Sequence, residues 1–198
     1  LHWHHFDTDI LPPVIDTQLR RQQPRHILVY LPFEHQPTVT QLLQRFTDLR
    51  FLQYSPDVED GESGNVGLRR TNLNGFRDDL CRAEAVICNA GFELVSECLH
   101  LGIPMLVKPV KGQMEQLSNA FALQQLGWGS AADNIDAATL QRWLYGERRV
   151  TPIQYPDVAA ALSEWVLDGD WHDKMVLCDT LWECTRGRDA LIARAAAL

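Results

Sequence analysis

The residue types and spacings best suited to chemistry lie in one stretch, Cys88–Asn119. Asn89-Ala90-Gly91 reads as a tight turn, with Gly91 supplying tolerance of positive φ and room for a ligand to approach the backbone. A helix over Phe92 to Leu101 would follow, and its first amides have no intrahelical acceptor. Together with the helix dipole they form an anion site suited to phosphate. Glu97 stands about one turn further along, where a carboxylate can accept hydrogen bonds from ribose hydroxyls. Glu93 falls in the first turn, where it complements the dipole but competes with a phosphate for the same field. Lys108 and Lys111 flank Pro109 and could offset phosphate charge, although either one singly reads as well as a surface lysine. The stretch is equally consistent with a plain strand–helix–strand unit carrying a solvated glutamate.

The flanking sequence supplies the elements that would position these groups. Ala85 to Cys88 is a short apolar run of the kind that forms a buried parallel strand. On the helix, Leu94, Val95, Cys98, Leu99 and Leu101 share one face, and Glu93, Glu97 and His100 another. Gly102 ends the helix, Pro104 cannot continue it, and Met105 to Val107 is the next strand. Further strands are expected at His26–Leu31, Phe51–Tyr54, Val66–Arg70 and Trp128–Ala131. Helices are expected at Val39–Phe46 with Thr38 as N-cap, Asn74–Arg82, Gln113–Leu126, Asp136–Leu144, Asp157–Leu167 and Lys174–Ala197. The spacing predicts Leu117, Ala120, Phe121, Leu123 and Leu126 facing inward from Gln113–Leu126. Val158, Ala161, Leu162, Trp165 and Val166 are expected to do so from Asp157–Leu167. Pro56 to Gly67 is acidic and reads as an exposed loop. Alternating strands and helices imply a three-layer α/β sandwich, Rossmann-like and doubly wound, with a mostly parallel sheet of about six strands. The chain divides into a linker or domain remnant over 1–25, a Rossmann-like domain over 26–146 and a C-terminal helical extension over 147–198. His2, His4 and His5 around Trp3 read as a domain-edge segment rather than a metal site.

Gly91-x5-Glu97-x4-Gly102-Ile-Pro104, followed by Pro109 and then Glu115-Gln116-x2-Asn119-Ala120, resembles the nucleotide-sugar signature of GT-B glycosyltransferases. The inverting UDP-sugar transferases are the nearest named group, including the GlcNAc transferase that completes lipid II. A less characterised bacterial and archaeal glycosyltransferase-like group shares more of the wording. The resemblance covers roughly Arg25 to Leu144 and implies the donor-binding half of such an enzyme. It implies inverting transfer from a nucleotide sugar, UDP-linked, without metal or other cofactor. By resemblance, Asn89, Ala90, Gly91, Phe92 and Glu93 would surround the donor diphosphate, with the Ala90–Phe92 amides facing it. Glu97 would hold the ribose, and Glu115 and Gln116 the sugar hydroxyls. Asn119 would brace that loop, and backbone from Arg70 to Leu73 would hold the base. The loop Pro32–Pro37 departs from the pattern, carrying Glu34 and no glycine. His35 and His100 are near-site histidines, and neither reads as a general base. The partner implied is a missing N-terminal domain or second subunit carrying the acceptor site.

Bulk properties narrow the alternatives. The 198 residues suffice for one well-buried domain, and 45% hydrophobic with 22% charged residues is an ordinary globular balance. A net charge of −8 argues against nucleic acid as a partner. No apolar run reaches the roughly 20 residues of a membrane span. Five cysteines without a Cys-x-x-Cys pair suit reduced thiols and a cytoplasmic setting, with Cys88 and Cys98 on buried faces. Two other readings compete with the transferase half. One is a UDP-sugar epimerase or hydrolase relative. The other is a nucleotide-sugar-binding or interaction module without chemistry.

Overall fold

Largely apolar runs of four to seven residues become the middle of a parallel sheet. The computed structural model describes residues 10–148, 150–169, 171 and 173–187. The strands are β1 (His26–Tyr30), β2 (Phe51–Ser55), β3 (Gly61–Ser63), β4 (Val66–Arg70), β5 (Ala83–Asn89), β6 (Met105–Lys108) and β7 (Ser130–Ala131). They are ordered β3-β4-β2-β1-β5-β6-β7, and every pairing is parallel except β3 with β4. The helices are α1 (Gln36–Leu43), α2 (Leu73–Cys81), α3 (Phe92–Leu101), α4 (Met114–Gln125), α5 (Ala137–Leu144), α6 (Val158–Asp168) and α7 (Lys174–Glu183). The mostly parallel, doubly wound α/β fold is therefore present.

Alternation along the central strands builds two cores. Ile27 and Val29 of β1, with Ala85 and Ile87 of β5, pack toward α1 residues Val39 and Leu43. Leu28, Val86 and Cys88 pack on the opposite face against Val95, Cys98 and Leu99 of α3. Both faces of these strands are buried, which is why their sequences are apolar without alternation. Leu19, Ile153, Tyr155 and Trp182 join the α3-side core, so segments at both ends of the described chain share it. Gly102 caps α3 with φ 65°, a left-handed conformation that favours glycine.

Several expectations are corrected. The acidic loop contains β3, a seventh strand, whose Glu62 bonds Arg50 and Arg69 at 2.6 and 2.9 Å. Helix α1 starts at Gln36 with Pro37 in its first turn and His35 as N-cap, so Thr38 is not the cap. Instead, the Thr38 hydroxyl bonds the His35 ring at 2.9 Å. On α4, Ala120 and Leu123 are buried, but Leu117 and Phe121 are 43% and 63% exposed. On α6 only Val158 is fully buried; Ala161, Leu162 and Trp165 are half-buried and Val166 is exposed. The last helix ends at Glu183 with Cys184 as C-cap. The remainder of the expected Lys174–Ala197 helix beyond residue 187, and the histidines at His2, His4 and His5, lie outside the described residues. No described helix is long and apolar enough to cross a membrane.

Candidate functional site

The strand order fixes where a ligand can bind. The chain runs from β1 outward through β2, then returns to place β5 on the other side of β1. The loops after β1 and β5 therefore diverge, leaving a crevice at the carboxyl edge between them. One wall is the turn Asn89-Ala90-Gly91 that leads into α3. Gly91 is the N-cap with no side-chain cap on the helix. Its φ is −70°, so the expected positive φ is absent. A Cβ at Gly91 would meet nothing within 4 Å. Glycine here leaves open space over the helix start rather than relieving backbone strain.

Asn89 is only 8% exposed. Its Nδ2 donates to Lys108 O at 3.0 Å, while its Oδ1 is buried without a partner. Ala90 does not offer its amide to the crevice, because that amide donates to Lys108 O at 3.3 Å. Asn119 Nδ2 donates to Ala90 O at 3.0 Å, so Asn119 holds this turn. Gln116 is buried, and its Oε1 accepts from Val110 N at 2.9 Å, fixing the loop between β6 and α4. That bond turns the Gln116 carboxamide oxygen toward the loop rather than toward a sugar. Glu115 is exposed in the first turn of α4.

Beside α3 lies a cavity of about 220 Å³, between Leu73 and Phe76 of α2, Tyr30 of β1, and Glu93, Leu94 and Glu97 of α3. Tyr30 and Phe76 meet edge-on at 5.3 Å, and Phe76 meets Tyr54 likewise at 5.0 Å. Glu97 is 6% exposed, not solvated as its polar helix face suggested. Among the described residues, no hydrogen bond or ion pair reaches its carboxylate. Burial, and then the charge of Glu93, push its pKa up to about 7. Arg77 also lines this cavity but is paired to Asp16 at 3.3 Å. The base-side residues separate: Leu73 lines the cavity and is 65% exposed, whereas Arg70 does not. Arg70 N donates to Asp60 Oδ1 at 2.6 Å, and its side chain pairs with Glu59 at 3.4 Å.

A second, larger cavity of about 560 Å³ opens between the loops after β1 and β6, against Phe33, Lys108, Lys111 and Leu117. Lys108 is not a free cation, since its Nζ pairs with Glu34 Oε1. His100 is remote from both cavities. It is buried behind α3, where Nδ1 accepts from Tyr155 N at 3.4 Å and the ring stacks on Tyr155. Sequence reading missed Tyr30 and Arg77 as wall residues and, although it named Glu34 and Lys108 separately, missed their pairing. The position of Tyr30 at the end of β1 was the available signal, because strand ends in this topology face the crevice.

The family model described as "Glycosyl transferase family 1" matches residues 4–147. Among solved structures, the chain is similar to the glycotransferase of kitacinnamycin, with 19% identity and a TM-score of 0.53 over 94% of this chain and 46% of that one. It is also similar to the glycosyltransferase SnogD from Streptomyces nogalater, at 22% identity and TM-score 0.48, over 67% of this chain and 37% of that one. MurG from Acinetobacter baumannii aligns at 14% identity and TM-score 0.44, over 65% and 42%. The chain thus spans less than half the length of each of these structures. No curated protein sequence matches it.

Proposed function

The chain belongs to glycosyl transferase family 1, and on that premise we propose that it is the donor-binding half of an inverting, metal-independent nucleotide-sugar glycosyltransferase. The observation that carries this reading is Glu97. A buried carboxylate with no hydrogen-bond partner among the described residues, on the wall of a cavity one turn past an uncapped helix start, calls for a ligand bearing hydroxyl donors. A ribose meets that need while its diphosphate lies toward the α3 N-terminus. The base would lie against Leu73, Phe76 and Tyr30, and the donor sugar would extend into the larger cavity toward Lys111 and Glu115. UDP is the nucleotide favoured by the resemblance.

In the transfer, an acceptor hydroxyl attacks the anomeric carbon. The bond to the nucleoside diphosphate breaks, and the acceptor proton passes to a base. This chain would contribute position and electrostatics; acceptor and base would come from a preceding domain or second subunit. Phe33 and Leu117, both exposed at the larger cavity, support such a covering partner. A nucleotide-sugar-binding module without chemistry is the second reading, favoured by the pairing of Glu34 with Lys108.

The test is calorimetric titration of the chain with UDP, UDP-GlcNAc, GDP-sugars and dTDP-sugars. One nucleotide class should bind, and Glu97→Ala should abolish that binding. A chain that binds none of them would overturn the reading.

A further inference from the structure

Glu34 sits in the loop after β1, Lys108 ends β6, and β5 lies between those strands. Their ion pair therefore crosses the carboxyl end of β5, where the chain turns through Ala90 toward the start of α3. Both ends are anchored. Gln36 Nε2 donates to Leu31 O at 2.9 Å and to Glu34 O at 2.7 Å, pinning the Glu34 backbone. Lys108 O accepts from Asn89 Nδ2 and Ala90 N. The two side chains are 29% and 18% exposed, so their attraction is screened less than that of a surface pair. Glu34, Lys108 and Lys111 line one cavity together, so the pair stands where a ligand can reach it.

We propose that Glu34 is an internal anion guarding the diphosphate position and a determinant of donor specificity. Glu34 and a donor phosphate compete for one ammonium group, Lys108. Binding is an exchange in which Lys108 leaves the carboxylate and pairs with phosphate. A donor whose phosphates extend past the ribose to the end of β6 gains the Lys108 contact that offsets the displaced carboxylate. A monophosphate, held at the ribose end, does not reach Lys108 and leaves the pair intact. Glu34 thus lowers affinity for diphosphate-linked ligands more than for monophosphate-linked ones. This inference rests on the donor-site reading and goes beyond it in naming the residue that discriminates.

Inorganic pyrophosphate and UDP are titrated calorimetrically at low ionic strength into the wild-type chain, E34Q, K108M and the double variant. E34Q should bind both probes roughly tenfold more tightly, as when about 1.4 kcal/mol of competition is removed. The gain should shrink in the K108M background, where no ammonium is released. Uridine monophosphate should gain less from E34Q than UDP does. E93Q, which removes a neighbouring charge without touching Lys108, should give a smaller gain than E34Q. Equal or weaker binding by E34Q, or a gain indifferent to Lys108, overturns the guard. If the wild type binds UDP but E34Q matches it, only the guard falls. If neither chain binds either probe, the donor-site reading falls and the guard with it.

Discussion

Replacing Glu97 with Gln tests the site through two readouts of opposite sign. An ordinary glutamate titrates near 4.5, and Glu97 titrates near about 7 because burial penalises its charge and Glu93 adds to that penalty. The difference corresponds to roughly 3 kcal/mol between the two protonation states. The sign follows from proton binding. Between those two values the unfolded chain has released the Glu97 proton while the folded chain retains it, so stability falls as pH rises. The penalty is absent below about pH 4.5, grows through the window and is complete above about pH 7. Glu97→Gln removes it. Without ligand, the variant should exceed the wild type by about 1–3 kcal/mol at pH 8, measured by urea unfolding, and the advantage should fade by pH 5. Nucleotide binding should move the other way. Ribose hydroxyls donating to a charged acceptor contribute about 1.5–3 kcal/mol, so Gln should weaken binding by roughly 10–150-fold. Binding to the wild type near pH 6.5 should also release a proton, visible as a buffer-dependent heat. A Gln variant less stable than wild type at pH 8 would refute the argument, because it would mean the carboxylate is satisfied within the fold.

Two further substitutions separate the turn's shape from its surface. Gly91→Ala should still fold, at a cost of no more than about 1 kcal/mol for the poorer N-cap, because φ is −70° and the added Cβ meets nothing. It should nevertheless lose pyrophosphate binding, since the methyl group occupies the space over the helix start; unfolding midpoints and calorimetry read the two effects separately. Asn119→Ala removes the donor to Ala90 O, a buried acceptor group. It should destabilise the chain by about 1–3 kcal/mol and loosen amide-exchange protection at Ala90, whereas Glu115→Ala should do neither.

The crevice at the carboxyl edge was legible in sequence, but the pairing of the residues around it was only partly so. Helix α3 begins and ends where periodicity and Gly102 place it, and the apolar runs identify the central strands because burial on both faces leaves no other composition. From these the switch-point crevice follows without any side-chain detail. Contacts between residues distant in sequence do not follow. Strand β3 forms by pairing antiparallel with β4 across the Gly64-Asn65 turn, with Glu62 meeting Arg50 and Arg69 beside it, and an acidic, polar composition hides that pairing. Periodicity also groups Leu117 and Phe121 with the core side of α4, yet that helix rests on Ala120 and Leu123, leaving the larger residues exposed. A helix pattern states which residues share a face; the depth of the neighbouring groove decides which of them are covered.

The polar residues carry the same lesson further. Their types suited a phosphate–ribose–sugar series, but in the fold several of them face each other. Gln116 holds Val110, Asn119 holds Ala90, and Glu34 holds Lys108. Each bond fixes a loop at the crevice, so these residues shape the cavity walls. Glu97 is the exception: it is buried, and no described residue satisfies it. A fold tolerates such a group at a cost to stability, and a ligand that supplies the missing donors offsets that cost on binding. The carboxylate that points to a ligand is therefore the one whose described neighbours leave it unpaired, and spacing along the sequence could rank it only among several equals.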